Sequence, residues 1–208
     1  MFNSKSVIYY LFTVTVFLLY YCSESTEPDT TANDLIPLKI GNSWNYKFTD
    51  YDSSGTILYT ENQTSTIVKD TSMLNYTWYS NNDFVNSFWY TNKADGYWAF
   101  VKENTGPIKK DTSLLIYKYP TQVGDIYGDT NNPKEVMSVD EEIIVPAGKF
   151  RVIHIINNYL NSNNYLLDSF EIYIAPHIGV IKTMQIGKKS DGNKFVVYKS
   201  ELESYSLK

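Results

Sequence analysis

From Ile36 onward the chain never sustains the three-and-four apolar spacing of an amphipathic helix. Instead, short runs that alternate apolar and polar side chains recur between turn residues. That pattern restricts the fold to all-β architectures. In Trp44-Asn45-Tyr46-Lys47-Phe48-Thr49 the aromatics point one way and the polar residues the other, and Phe170-Glu171-Ile172-Tyr173-Ile174 repeats the division. Each run therefore has one buried and one wet face.

The turns between the runs make the sheet antiparallel. Asp95-Gly96 and Asp191-Gly192 supply the positive-φ positions of tight hairpins, and Asp52-Ser53-Ser54-Gly55 suits a slightly longer one. In Val145-Pro146-Ala147-Gly148-Lys149, Pro146 presets the first turn residue and Gly148 accepts the left-handed conformation, joining strands of about 136–145 and 150–159. About ten strands with no helix to cover them must curl into a half-open barrel or fold into a β-sandwich. The expectation is a single, strongly curved antiparallel sheet over 36–208, with the sandwich as the alternative. An internal echo runs through it. Pro37-x-x-Ile40-Gly41-Asn42-x-Trp44 and Pro120-x-x-Val123-Gly124-Asp125-x-Tyr127 share one pattern, read either as two related β halves or as chance reuse of a good strand-entry loop.

The stretch before this domain reads as an address. An apolar run from Val7 to Tyr21 follows Lys5 and is short for a membrane-spanning helix, so 1–21 is expected to be a secretory signal peptide. Leu19-Tyr20-Tyr21-Cys22-Ser23 resembles the lipobox of bacterial lipoproteins, although Tyr20 and Tyr21 replace the usual small residues. The resemblance implies lipidation at Cys22, the only cysteine, followed by a polar, acidic tether over 22–35. Acidic residues close behind Cys22 also loosely resemble lipoprotein surface-export signals of the Bacteroidetes type. Cleavage after Ser25, at Ser23-Glu24-Ser25, is the competing reading and yields a secreted chain. The location implied is the cell envelope, as an outer-membrane lipoprotein.

Three motifs carry a wider resemblance: Pro37-Leu38-x-x-Gly41-Asn42-x-Trp44, Val145-Pro146-Ala147-Gly148-x-Phe150 and Ala175-Pro176-x-x-Gly179-Val180-Ile181-Lys182. Together they are similar to a group of exported bacterial β proteins labelled TapB-like. Each motif is mostly turn chemistry, so the resemblance implies a fold and brings no catalytic residue with it. By fold analogy alone, exported lipoproteins of the LolA and LolB type suggest a half-barrel with an apolar cavity.

Few residues could do chemistry. With two histidines in the chain, a His-rich metal site or a Ser-His-Asp set has few ways to form. His154 shares a strand face with Phe150, Val152 and Ile156 and reads as a core or sheet-edge imidazole, and His177 reads as a solvated turn residue. Asp140 and Glu142 can converge on one face, but a glycosidase pair also needs a cleft, and a solvated strand face accounts for them. Asp50-Tyr51-Asp52-Ser53-Ser54-Gly55 is explained by a hairpin turn rather than a calcium loop. No cofactor, metal set or catalytic group is implied. The net charge of −5 becomes more negative once Lys5 leaves with the signal, which argues against a nucleic-acid partner.

The aromatic clusters Trp78-Tyr79, Phe88-Trp89-Tyr90 and Tyr97-Trp98-x-Phe100 are the remaining candidates. Alternation sends one member of each pair inward and leaves the other on the opposite face, where stacked rings can grip a sugar or an apolar ligand. Trp78, Trp89 and Trp98 are the expected ligand-binding residues. The functional expectation is a non-catalytic envelope lipoprotein held at the membrane by its lipid, either a binding module or an assembly subunit, with a glycan or an envelope protein as partner. The alternative is a carrier or sensor of a lipid or other apolar ligand. A hydrolase of surface glycans or peptides stands third.

Overall fold

The computed structural model describes residues 34–82, 88–101, 112–130, 132–158 and 167–208. The signal-peptide, Cys22 and most tether readings fall outside them. Twelve strands form: β1 (Ser43–Tyr51), β2 (Ile57–Met73), β3 (Tyr76–Asn81), β4 (Phe88–Lys93), β5 (Gly96–Val101), β6 (Thr112–Lys118), β7 (Ile126–Asp129), β8 (Asn132–Val145), β9 (Gly148–Asn158), β10 (Leu167–Ala175), β11 (Gly179–Lys188) and β12 (Lys194–Ser206). All belong to one antiparallel sheet, ordered β6-β5-β4-β3-β2-β1-β12-β11-β10-β9-β8-β7. The expected half-open barrel forms, and the sandwich does not. Twelve strands replace the expected ten or so.

The order shows two six-stranded meanders, β1–β6 and β7–β12, and the internal echo marks the entrance of each. Gly41 and Gly124 both take positive φ, 90° and 84°. The Gly41 amide donates to the Ile67 carbonyl (2.8 Å), and the Ile67 amide returns a bond to the Asn42 carbonyl (2.9 Å). In the second half the Gly124 amide donates to Val136 (2.8 Å), and Val136 donates back to Asp125 (3.0 Å). The two entrance turns dock on their second strands in the same way, so the echo is a structural repeat at this level.

The halves meet at two junctions. At one, β1 and β12 form a continuous antiparallel ladder from Ser43↔Ser206 to Asp50↔Tyr198. At the other, β6 and β7 are the two free edges of the sheet. They approach where Lys118 Nζ meets Asp125 Oδ2 at 2.9 Å. The sheet is thus a nearly closed ring with one unzipped seam.

One end of the ring is filled. Leu35 is fully buried and Ile36 nearly so, against Trp44, Ile174, Ile181 and Leu202. Leu35 accepts a hydrogen bond from the His177 amide (3.0 Å), and Ile36 accepts one from Asn92 Nδ2 (2.8 Å). Trp44 Nε1 donates to the Ile178 carbonyl at 2.7 Å, and a Cβ on Gly179 (φ 121°) would stand 3.2 Å from that nitrogen. The first and third motifs of the sequence are therefore the two sides of one contact. The second joins them, since the Ala147 amide donates to the Leu202 carbonyl (3.0 Å).

Buried Asn42 ties the chain ends together: its Nδ2 donates to the Pro37 carbonyl (2.8 Å) and its Oδ1 accepts the Lys208 amide (2.9 Å). No helix among the described residues is long and apolar enough to cross a membrane.

Trp44→Phe removes one buried hydrogen bond and part of a ring, and we expect it to lower unfolding free energy by about 1–2 kcal/mol in urea titrations. Trp44→Ala, which also opens a cavity, is expected to cost about 3–5 kcal/mol.

Candidate functional site

The inner face of the sheet encloses a cavity of about 400 Å³. Its floor is the plug, with Ile36 and Leu38 facing upward into it. One wall comes from β1, where Trp44, Tyr46 and Phe48 point inward as their alternation predicts, continued by Tyr198 and Ser200 of β12. Tyr46 OH donates to the Val180 carbonyl (2.9 Å), and Phe48 packs between Tyr46 and Tyr198 at centroid distances of 6.2 and 5.8 Å. Burial raises the Tyr198 hydroxyl to about 12. Polar groups are few. Gln63, Ser65 and Asn81 edge one side, and Thr183 and Ser200 hydrogen-bond to each other at 2.9 Å on another.

The opposite wall is a row of rings. Phe88 and Tyr90 of β4, Tyr97 of β5 and Tyr117 of β6 succeed one another at 6.4, 5.4 and 5.9 Å, with interplanar angles of 16°, 10° and 15°. Near-parallel rings this close are offset-stacked rather than tiled flat. Gly96 permits β5 and β6 to approach at the Tyr97–Tyr117 step, because a Cβ there would lie 2.1 Å from the Tyr117 carbonyl oxygen. Burial, then the neighbouring Tyr127 and Tyr90, push the Tyr117 hydroxyl well above its ordinary value.

The three tryptophans singled out from the sequence lie on the other face. Trp89 and Trp98 alternate with cavity residues Phe88, Tyr90, Tyr97 and Ala99, and Trp78 packs on Phe100 at 5.5 Å. Trp78 is fully buried, its Nε1 donating to the Met73 carbonyl (2.9 Å). Lys93 Nζ lies 4.0 Å from the Trp98 ring centroid, 4.9 Å from Tyr76 and 5.3 Å from Trp78, while Lys69 covers Trp89 at 5.2 Å. Burial lowers the Lys93 pKa. Each of these tryptophans thus already carries a lysine ammonium of its own chain.

The side chains that line the cavity are the partners of those tryptophans. The sequence signal was present, since each cluster offers one residue to either face. Alternation alone does not say which face is concave.

The titratable candidates are placed apart from the cavity. Asp140 pairs with Arg151 and Glu142 with Lys149, both at 2.8 Å, on an exposed strand face. His154 does not sit in an apolar setting. Its Nδ1 is 3.1 Å from Glu141 and its Nε2 3.5 Å from Glu171, and its ring stacks on Tyr173 at 4.3 Å. Glu141 comes from the irregular stretch of β8, where the register shifts around Ser138, whereas Glu171 comes from the regular β9–β10 ladder, in which Tyr173 pairs with His154. His177 is exposed in its turn, with φ 63°. Asp52 Oδ1 accepts the Ser54 and Thr56 amides at 2.8 and 2.9 Å, as a hairpin turn requires. Among the described residues no group of three His, Cys, Asp or Glu is arranged to hold a metal.

No protein-family model matches the chain, which leaves the TapB-like resemblance without support from that comparison, and no curated protein matches it. Among solved structures, a chain from Parabacteroides distasonis described as a candidate lipoprotein is similar at 12% identity and a TM-score of 0.43. An exported protein with a YmcC-like fold from Bacteroides fragilis is similar at 11% identity and 0.47. Each alignment covers 85% of this chain and all of the other.

The seam beside the cavity carries a pH signature. Asp125 accepts hydrogen bonds from the Gln122 amide (3.0 Å) and Thr121 Oγ1 (2.8 Å) as well as the Lys118 ion pair, and these hold its carboxyl down at about 2. A depressed carboxylate stabilises the fold above its unfolded value near 3.8, and that contribution is lost as pH falls through about 2. Acid titration of Asp125→Asn is expected to show a smaller loss of stability than wild type over that window.

Proposed function

We propose that this protein is a non-catalytic envelope protein that holds an apolar ligand inside its curved sheet. The observation that carries the reading is the cavity. At about 400 Å³, with walls of Tyr, Phe, Ile and Trp and a few grouped polar atoms, it matches the size and lining of small-molecule sites. What favours the carrier reading over the surface-module reading is that apolar residues from both halves of the sheet and from Ile36 and Leu38 line one cavity. The exposed, salt-bridged setting of Asp140 and Glu142 lends no support to a hydrolase.

The envelope location rests on the sequence. Cys22 follows an apolar leader in a lipobox-like setting, and a lipid there would hold the domain at the outer membrane. The thirteen residues from Cys22 to Asp34 span at most about 45 Å, so the cavity would stay near the bilayer. A carrier of apolar molecules gains from that proximity, because its cargo partitions into the membrane.

Native mass spectrometry of protein purified from its own envelope, followed by organic extraction, is expected to find one apolar molecule per chain. Ser200→Phe, which pushes a ring into the cavity, should abolish both this and uptake of the neutral dye N-phenyl-1-naphthylamine while leaving the fold intact. Wild-type protein that carries no molecule and takes up no dye would overturn the reading. Intact mass of the envelope-extracted chain locates the anchor: diacylglyceryl mass on Cys22 supports lipidation, and a chain starting at Thr26 replaces it with secretion.

A further inference from the structure

Another partly buried tyrosine lies beyond the seam from the row of rings. Tyr127, the β7 residue beyond it, is close enough to raise the hydroxyl of Tyr117 on β6. It is itself partly buried, and burial pushes its hydroxyl up to about 12. Tyr127 pairs across the ladder with Lys134 of β8, and Lys134 pairs with Asn157 of β9. All three point inward. Val136 and Ile155, each two residues along the same strand from Lys134 and Asn157, are core residues on that face.

Lys134 is therefore a cation on the inside of the sheet. It takes part in none of the ion pairs among the described residues. Its ammonium instead lies 5.7 Å from the Tyr127 ring centroid, and burial lowers its pKa with no neighbouring carboxylate opposing the shift. The hydroxyl of that same Tyr127 is buried without a hydrogen-bond partner. A partly buried ammonium without an anion and a hydroxyl without an acceptor, together on the inner face beyond the aromatic wall of the cavity, is an arrangement that an anion would complete.

We propose that the ligand is an amphipathic anion whose apolar body occupies the cavity and whose terminal oxyanion, a carboxylate or a phosphate monoester, reaches across the seam to Lys134. The inference rests on the reading of the cavity as an apolar-ligand site and adds the chemical class of its occupant. Lys134 supplies the charge and the Tyr127 hydroxyl a donor, while Tyr117 lines the path between.

Calorimetric titration of the protein at neutral pH with dodecanoate, dodecyl phosphate and 1-dodecanol separates the two levels. One or both anions are expected to bind about tenfold or more tightly than the alcohol. Whichever of the two binds better identifies the head group. Lys134→Gln should bind the alcohol as wild type does and lose the preference, while Lys134→Arg keeps it. Equal wild-type affinity for all three probes would overturn the role of Lys134 and leave the cavity reading standing, and a preference surviving in Lys134→Gln would do the same. Binding of none would overturn the cavity reading and this inference with it. The wild-type comparison decides the matter even if the Gln variant fails to fold.

Discussion

The structure depends on the contact between Trp44 and the turn at Ala175–Gly179. The indole fills the end of the ring, donates to the Ile178 carbonyl, and sits against a glycine that leaves no room for a side chain. Around it gather the plug residues Leu35 and Ile36 and the inward Leu202. Without that seat a twelve-stranded antiparallel sheet would have no reason to curl so far, because twist alone does not bring its two edges together. The contact also explains why three turn motifs, far apart in the chain, occur together: they assemble one end of the barrel.

The other consequence of the two-half design is asymmetry. Both halves begin with the same entrance turn, yet only one of the two junctions between them is zipped. The β1–β12 ladder runs nearly the length of β1, whereas β7 is four residues long and faces β6 without pairing. An unzipped edge costs hydrogen bonds and leaves strand groups to be managed by side chains. Here the management consists of the Lys118–Asp125 pair and the partly buried Tyr117 and Tyr127 on either side. The cavity lies against this seam, and so does the unpaired Lys134, so the least regular part of the sheet is also where its chemistry collects.

Much of the fold was legible in the residues. Trp44, Tyr46 and Phe48 face inward as their spacing requires, Gly148 takes positive φ in the β8–β9 turn, and the Gly41 and Gly124 turns repeat. The aromatic clusters were recognised as the place to look for a ligand; Trp78, Trp89 and Trp98 lie on the face opposite the cavity, as alternation allowed, with lysines over their rings. His154 meets Glu141 across a stretch of β8 whose register shifts are encoded in no alternation pattern, while Glu171 reaches it from the regular β10 ladder.

What the sequence alone determined was local: strands with two distinguishable faces, the turns that make them antiparallel, and the absence of helices to cover them. These follow from backbone sterics and a period of two, which act between near neighbours. What only the tertiary structure decided was which face became concave, which edges met, and which cation was left inside. Those outcomes follow from the pairing of β1 with β12 and the curl that it closes, interactions between residues more than a hundred positions apart. A two-residue period is symmetric between its faces, and only curvature breaks that symmetry.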